Sequence, residues 1–310
     1  MNGLIGLDWG TSSLRAYRFD ATGHIAETRA RPWGIRHLPA GGFDAALTSI
    51  TEGWPALPRL ACGMVGSRGG WQEMPYLDLP ADAAQLGGAI GTLRAADGQD
   101  VNLVPGLRDP HGPDVMRGEE TQLVGALTLD AAFAAAATFI LPGTHSKWAR
   151  VRDGAVVAFR TLMTGELYAV LRQHSILGAG GAESVDSPDA FARGVVAARD
   201  SAAAGAFSRL FSARALMLDG VLEAAAVPDY LSGLLVGEEF RAALADGLAR
   251  RDRPLQLIGD PVLCERYRRA ATLFDIDLAP SLEDAAAHGL WRLAAQAGLV
   301  RPVSEVTQAC

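Results

Sequence analysis

Residues 4–20 read LIGLDWGTSSLRAYRFD, an apolar run that ends in a carboxylate, a glycine and three hydroxyls before alternation resumes. Apolar residues at 4–7 and alternating ones at 14–19 predict two β-strands, with 8–13 as the turn between them. Asp8 followed by small residues, whose amides and hydroxyls can close around an anion, suits a magnesium nucleotide. In that reading Asp8 orders the metal's water shell, and Gly10, Thr11, Ser12 and Ser13 contact phosphate oxygens. An ordinary hairpin turn gives the same string, and the stretch alone does not choose between the two.

The same plan returns half a chain later. Residues 138–141 read as a strand that runs into PGTHSKW, and 148–161 read as a hairpin with Asp153-Gly154 at its tip. Here Lys147 would neutralise β- or γ-phosphate charge, and Gly143, Thr144 and Ser146 would supply the turn and its donors, with His145 as a hydrogen-bonding neighbour. A surface turn with a solvated lysine is the alternative, but two such loops are harder to attribute to chance than one.

Around these loops the chain reads as a turn at 20–23, a strand near 24–29 and a buried strand at 60–65 that enters the Gly-rich loop GSRGGW at 66–71. Loops at strand ends are common places for sites. Residues 118–129 have helical apolar spacing, with Glu119 and Glu120 in the first turn, where the helix dipole favours acids. Residues 165–249 are Ala- and Leu-rich and read as mostly helix. A strand at 255–259, a helix from about 262 and a last helix at 282–297 with Gly289 inside it complete the pattern.

The 310 residues, 49% hydrophobic, suffice for one large domain or two lobes. The formal net charge of −7 argues against a general nucleic-acid surface, which needs a basic patch. Cys62, Cys264 and Cys310 have neither the spacing nor the even count of a disulfide framework or a zinc site. With no signal segment and no apolar run of membrane-spanning length, the expectation is a cytoplasmic protein that partners neither nucleic acid nor membrane.

LIGLDWGTSSLRAYRFD, FILPGTHSKWARV and LQLIGDPVLCERYRRA resemble, in that order, the first phosphate loop, second phosphate loop and adenosine-binding strand and helix of the sugar-kinase, hsp70 and actin superfamily. GMVGSRGGW, VMRGEETQLVGAL, LPGTHSKW and MTGELYAVLRQHSILG resemble the 2-dehydro-3-deoxygalactonokinase family, over nearly the whole chain. The resemblance implies an α/β, two-lobed actin-like ATPase (ribonuclease H-like) fold with the nucleotide in the inter-lobe cleft. The first lobe would be residues 1–127, completed by a C-terminal helix at 286–310, and the second 128–285. ATP and Mg²⁺ would be the cofactors, and the 6-hydroxyl of 2-dehydro-3-deoxy-D-galactonate the acceptor, in galactonate catabolism.

Phosphoryl transfer then needs a proton acceptor. Glu120, slightly preferred, or Glu119 stands where related enzymes carry a catalytic Asp; the other reading is that both only cap a helix. Arg68 and Arg117 are the candidates for the substrate carboxylate, with Trp71 walling that pocket. Gly233, Gly237 and Gly259 would admit adenine and ribose, although the first two suit helix packing equally. Gly289 would let two inter-lobe helices cross closely. The remaining alternatives are a kinase for another sugar on the same scaffold and, less favoured, a sensor or filament protein. Sensors carry a DNA-binding domain ahead of a first strand that begins here near residue 3. A homodimer is left open.

Overall fold

A computed structural model describes residues 3–178, 185–250 and 253–301; the part of the expected last helix beyond 301, and Cys310, lie outside the described residues. Leu4–Trp9 (β1) and Leu14–Phe19 (β2) pair antiparallel from Leu4↔Phe19 to Trp9↔Leu14. β1 therefore runs two residues further than its apolar run, and Asp8 becomes a strand-end residue opposite Arg15. Ile25–Arg31 (β3) extends the meander beside β2.

After the helix Gly42–Ile50 (α1), Arg59–Gly63 (β4) pairs in parallel with β1, which puts Cys62 beside Asp8. The next elements are Tyr76–Asp78 (β5), Ala83–Gly88 (α2), Gly91–Arg94 (β6), Asp100–Leu103 (β7), Gly106–Asp109 (β8) and Asp114–Met116 (β9). They complete one sheet in the order β3-β2-β1-β4-β7-β6 and a small one in the order β5-β8-β9. Every residue of β4 is buried, as expected of a strand covered on both faces. Glu119–Leu129 (α3) follows.

Ala136–Leu141 (β10), Ser146–Arg152 (β11) and Ala155–Leu162 (β12) begin a second sheet, and Asp153 and Gly154 turn the hairpin with φ of 52° and 76°. Positive φ at both central residues is the turn that matches strand twist. The helices Thr164–His174 (α4), Pro188–Arg199 (α5), Ser212–Leu218 (α6) and Val227–Ala245 (α7) then lead to Leu255–Leu257 (β13), parallel to β10, and Pro261–Thr272 (α8). The sheet order is β12-β11-β10-β13.

Ala285–Gln296 (α9) returns to the first unit. That unit comprises residues 1–135, 151–158 and 284–310, and the second 136–150 and 159–283. Gly125 of α3 and Gly289 of α9 face each other. A Cβ on the first would overlap the Ala285 carbonyl, and one on the second the Thr121 carbonyl, so the helices cross backbone on backbone. This corrects the expectation for Gly289, because both helices belong to the first unit. Among the described residues no helix is long and apolar enough to cross a membrane.

Candidate active site

In the first unit the ends of β1 and β4 and the start of α3 come together. Gly63, with φ of 89°, lies against the Trp9 carbonyl, and a Cβ on Gly118 would stand 3.1 Å from Gly63 Cα. This close approach brings three carboxylates into one neighbourhood. Asp8 is half-buried, and Cys62 Sγ lies 4.0 Å from its Oδ1. Burial pushes the Asp8 carboxyl above its usual range, opposed by Arg15. The Cys62 thiol is pushed well up by burial and then by the charges of Asp8 and Glu120, which makes it a buried spacer between them.

Glu119 and Glu120 differ sharply although adjacent. Glu120 is 0% exposed; its Oε2 accepts from the Gly118 amide at 2.6 Å and its Oε1 from the Thr121 hydroxyl at 3.0 Å. Burial, and next the charge of Glu119, raise its pKa to about 8. Both its oxygens are engaged by its own helix start. Glu119 is half-buried, and its Oε2 accepts the Arg117 amide at 3.0 Å. Between the two candidates for the base, Glu120 has both oxygens committed to its own helix start, whereas Glu119 is half-buried.

The Gly-rich loop separates the two arginine candidates. Arg68 is exposed at its tip. Arg117 is 8% exposed, its Nη2 donates to the Met74 carbonyl at 2.7 Å, and its guanidinium lies 4.3 Å from the centre of the Tyr76 ring. Its Nε and Nη1 are sealed from solvent without a hydrogen-bond partner, and a Cβ on Gly66 would press on Nη1 at 3.1 Å. Arg117 thus lies behind the loop as a buried cation and not as a direct contact, which corrects that expectation. Trp71 stacks on Phe43 (5.4 Å, 8°) and meets Trp9 edge-on, so it belongs to the first unit's core. The turn 10–13 closes through the Gly10 amide to the Ser13 carbonyl at 2.9 Å and packs on Gly34, where a Cβ would overlap the Thr11 and Ser12 backbone.

The second unit holds a cavity of about 650 Å³. Pro142, Gly143 and Thr144 form one wall, Thr164, Gly165 and Tyr168 of α4 another, and Ser232, Leu235, Val236, Asp260, Leu263, Arg266 and Tyr267 the rest. Loop and helix are pressed together, for a Cβ on Gly165 would stand 2.7 Å from the Gly143 carbonyl oxygen. His145 bridges to Glu166 at 2.5 Å, and the Glu166 amide donates to the Thr144 carbonyl. Gly259, with φ of 148°, packs beside Pro142, and Asp260 caps α8 through the Val262 and Leu263 amides. Arg266 is anchored by Ser232 at 3.0 Å and by Asp229, and its guanidinium lies over Phe191.

Three expectations for this unit are corrected. Gly233 and Gly237 face α5, where a Cβ would overlap the Phe191 carbonyl or come within 2.9 Å of that of Val195; their lack of a side chain serves helix packing, and neither lines the cavity. Lys147 is 5% exposed and donates to Thr161 Oγ1 at 2.6 Å, because strand alternation turns it away from the face that carries Ser146 and Trp148. The sequence reading misses Thr164, Gly165, Arg266 and Tyr267, which line the cavity. The first two sit in MTGELYAVL and the next two in LQLIGDPVLCERYRRA, stretches already singled out for their resemblance.

The model of the 2-keto-3-deoxy-galactonokinase family matches residues 8–293. A 2-dehydro-3-deoxygalactonokinase of Escherichia coli (strain K12) is 35% identical over 286 residues, 91% of this chain and 94% of its own. A crystal structure from Sinorhizobium meliloti, provisionally named for the same kinase, superposes with a TM-score of 0.84 at 34% identity, covering 94% of this chain and 98% of its own. A ligand-bound xylulose kinase from Lactobacillus acidophilus shares the fold at a TM-score of 0.51 and 9% identity, with 98% and 91% of the two chains covered.

Proposed function

The chain belongs to the 2-keto-3-deoxy-galactonokinase family, and from that premise we propose that it transfers the γ-phosphoryl group of ATP to the 6-hydroxyl of 2-dehydro-3-deoxy-D-galactonate. The observation that carries the reading is the grouping of Glu119, Glu120 and Asp8 where β1, β4 and α3 meet. Glu119 takes the proton as the hydroxyl oxygen bonds to the γ-phosphorus and the bond to the β–γ bridging oxygen breaks, leaving ADP. Glu120 keeps its proton and holds the helix start.

Among the described residues no group of three His, Cys, Asp or Glu could hold a metal. A Mg²⁺ that keeps most of its waters and rides on the nucleotide's phosphates needs only one or two protein carboxylates, and Asp8 fits that requirement. When bound, the ion neutralises charge on the phosphoryl group in transfer. In the second unit, the 142–144 turn serves the phosphates, while Tyr168, Leu235, Val236 and Leu263 offer the apolar wall and Ser232 and Arg266 the polar groups of a nucleoside pocket.

The sugar acid's carboxylate meets Arg68. Arg117, which has no carboxylate within ion-pair distance among the described residues, adds a buried positive charge behind the same loop, a charge that an anion nearby relieves. A panel of sugar acids in an ATP-consumption assay tests the reading, and the absence of turnover with 2-dehydro-3-deoxy-D-galactonate overturns it. Arg68→Ala should raise the KM for that acid about tenfold, the loss expected for one charged hydrogen bond, and leave the KM for ATP in place. An unchanged acid KM removes Arg68 from the site.

A further inference from the structure

Glu239 on α7 is 0% exposed and lies in none of the groups so far given a role. Its Oε1 accepts the Tyr267 hydroxyl at 2.6 Å, and its Oε2 accepts the Trp148 indole N–H at 2.8 Å. The hydroxyls of Thr164 and Ser146 also favour its charged form, so polar groups from three elements, β11, α4 and α8, surround one carboxylate. Two of them, Thr164 and Tyr267, line the cavity. Ser146 closes the phosphate turn: its Oγ lies 2.8 Å from the Tyr267 hydroxyl and accepts the Gly143 amide at 3.3 Å.

Burial raises the Glu239 carboxyl above its usual range and the donors around it oppose that shift; held as a carboxylate, it only accepts, and that fixes the direction of every bond in this set. Tyr267 must give its one proton to Glu239. Ser146 then gives its proton to Tyr267 or Glu239, and its lone pairs stay available to the Gly143 amide. A single buried charge therefore sets the rotamer of Ser146, the ring position of Tyr267 and the inward aim of one amide of the turn. We propose that Glu239 is a positioning residue for phosphoryl transfer, acting through Tyr267 and Ser146 to hold the 142–146 turn in the shape that receives the ATP phosphates.

The proposal rests on the kinase reading, and the two fail separately: wild type without turnover defeats the reading, whereas wild type with turnover and a variant just as active defeats only the proposal. Glu239→Gln is nearly the same size, but Trp148 can only donate. The amide oxygen must therefore stay on Trp148, and the NH₂ group must face Tyr267, which reverses the bond to it. The expected result is a kcat at least about tenfold lower and a raised KM for ATP, with the KM for the sugar acid within twofold of wild type; tenfold is the loss one misaligned charged hydrogen bond produces.

Tyr267→Phe removes one link without stranding the carboxylate among fewer than three donors, and should shift the same two constants even if the Gln variant does not fold. The double variant should be no worse than the poorer single one, because both break one chain. Trp148→Phe, on the far side of Glu239, should lower Tm and leave the KM for ATP within twofold. The proposal is overturned if Glu239→Gln or Tyr267→Phe, when folded, keeps both constants within twofold of wild type, or if their losses simply add.

Discussion

The turn at 10–13 and the turn at 142–146 come from nearly the same string of glycine and hydroxyls, yet the chain secures them in opposite ways. The first is held by backbone, through the Gly10 amide to the Ser13 carbonyl, the Ile35 and Arg36 amides to the Gly10 and Thr11 carbonyls, and a close approach to Gly34. Its carboxylate, Asp8, belongs to its own strand and remains half-buried. The second has no acid in its own strand, and borrows a fully buried one from a helix, Glu239, whose bond to Trp148 spans 91 residues. A carboxylate at a strand end can reach a metal or a reacting group, whereas a sealed one can only organise its donors. In the proposed reading the first unit carries the chemistry and the second holds the nucleotide.

The sharpest way to break that division is Glu119→Gln, which should lower kcat about 10²- to 10⁴-fold, the range for a lost general base, and leave both KM values nearly unchanged. If it retains more than a tenth of wild-type turnover, the base lies elsewhere. Asp8→Asn should raise the Mg²⁺ concentration needed for half-maximal rate about 10- to 100-fold, as loss of a metal-orienting group does; a rate titration with MgCl₂ reads it directly. In the second unit Gly165→Ala drives a methyl toward the Gly143 carbonyl, which stands 2.7 Å from where the new Cβ would be. It should raise the KM for ATP several-fold and cost about 1–3 kcal/mol in a denaturant titration, the usual cost of overpacking. Equal loss in kcat with no change in KM for ATP would blur the division.

The smallest effect on rate, and the most diagnostic for pH, belongs to Glu120→Gln. Its carboxyl has an ordinary value of 4.5 and about 8 in the folded chain. Between those values the folded chain holds a proton that the unfolded chain has released, so stability from this group is complete below about 4.5 and declines as pH rises toward 8. Urea midpoints at pH 5 and pH 8 should therefore drift apart in wild type and converge in the variant. Parallel drift in both would show that another group carries the pH dependence.

Much of this was legible because it is local. Alternation at 14–19, the apolar run before Asp8 and the Asp153-Gly154 tip are short-range signals, and each produced the strand or turn it announced. The small sheet β5-β8-β9 left no such signal, since its strands are three or four residues long and include Asp78, Arg108, Asp109 and Asp114. Gly233 and Gly237 show a different limit. A glycine that admits a ligand and one that admits a helix are identical in sequence, and only α5 lying across them tells which they are. Lys147 was readable in principle, because the alternation that points Ser146 inward points its neighbour the other way. Glu239 was not, because its partners at 146, 148, 164 and 267 share no spacing.

The backbone-on-backbone crossing of Gly125 and Gly289 has a temporal side. The helix that presents Glu119 is among the first 130 residues to leave the ribosome, but the helix it rests on follows more than 150 residues later. Until that late segment is made, α3 lacks the partner against which Gly125 packs. The crossing on which the helix of Glu119 rests is therefore complete only once residues 285–296 have been made.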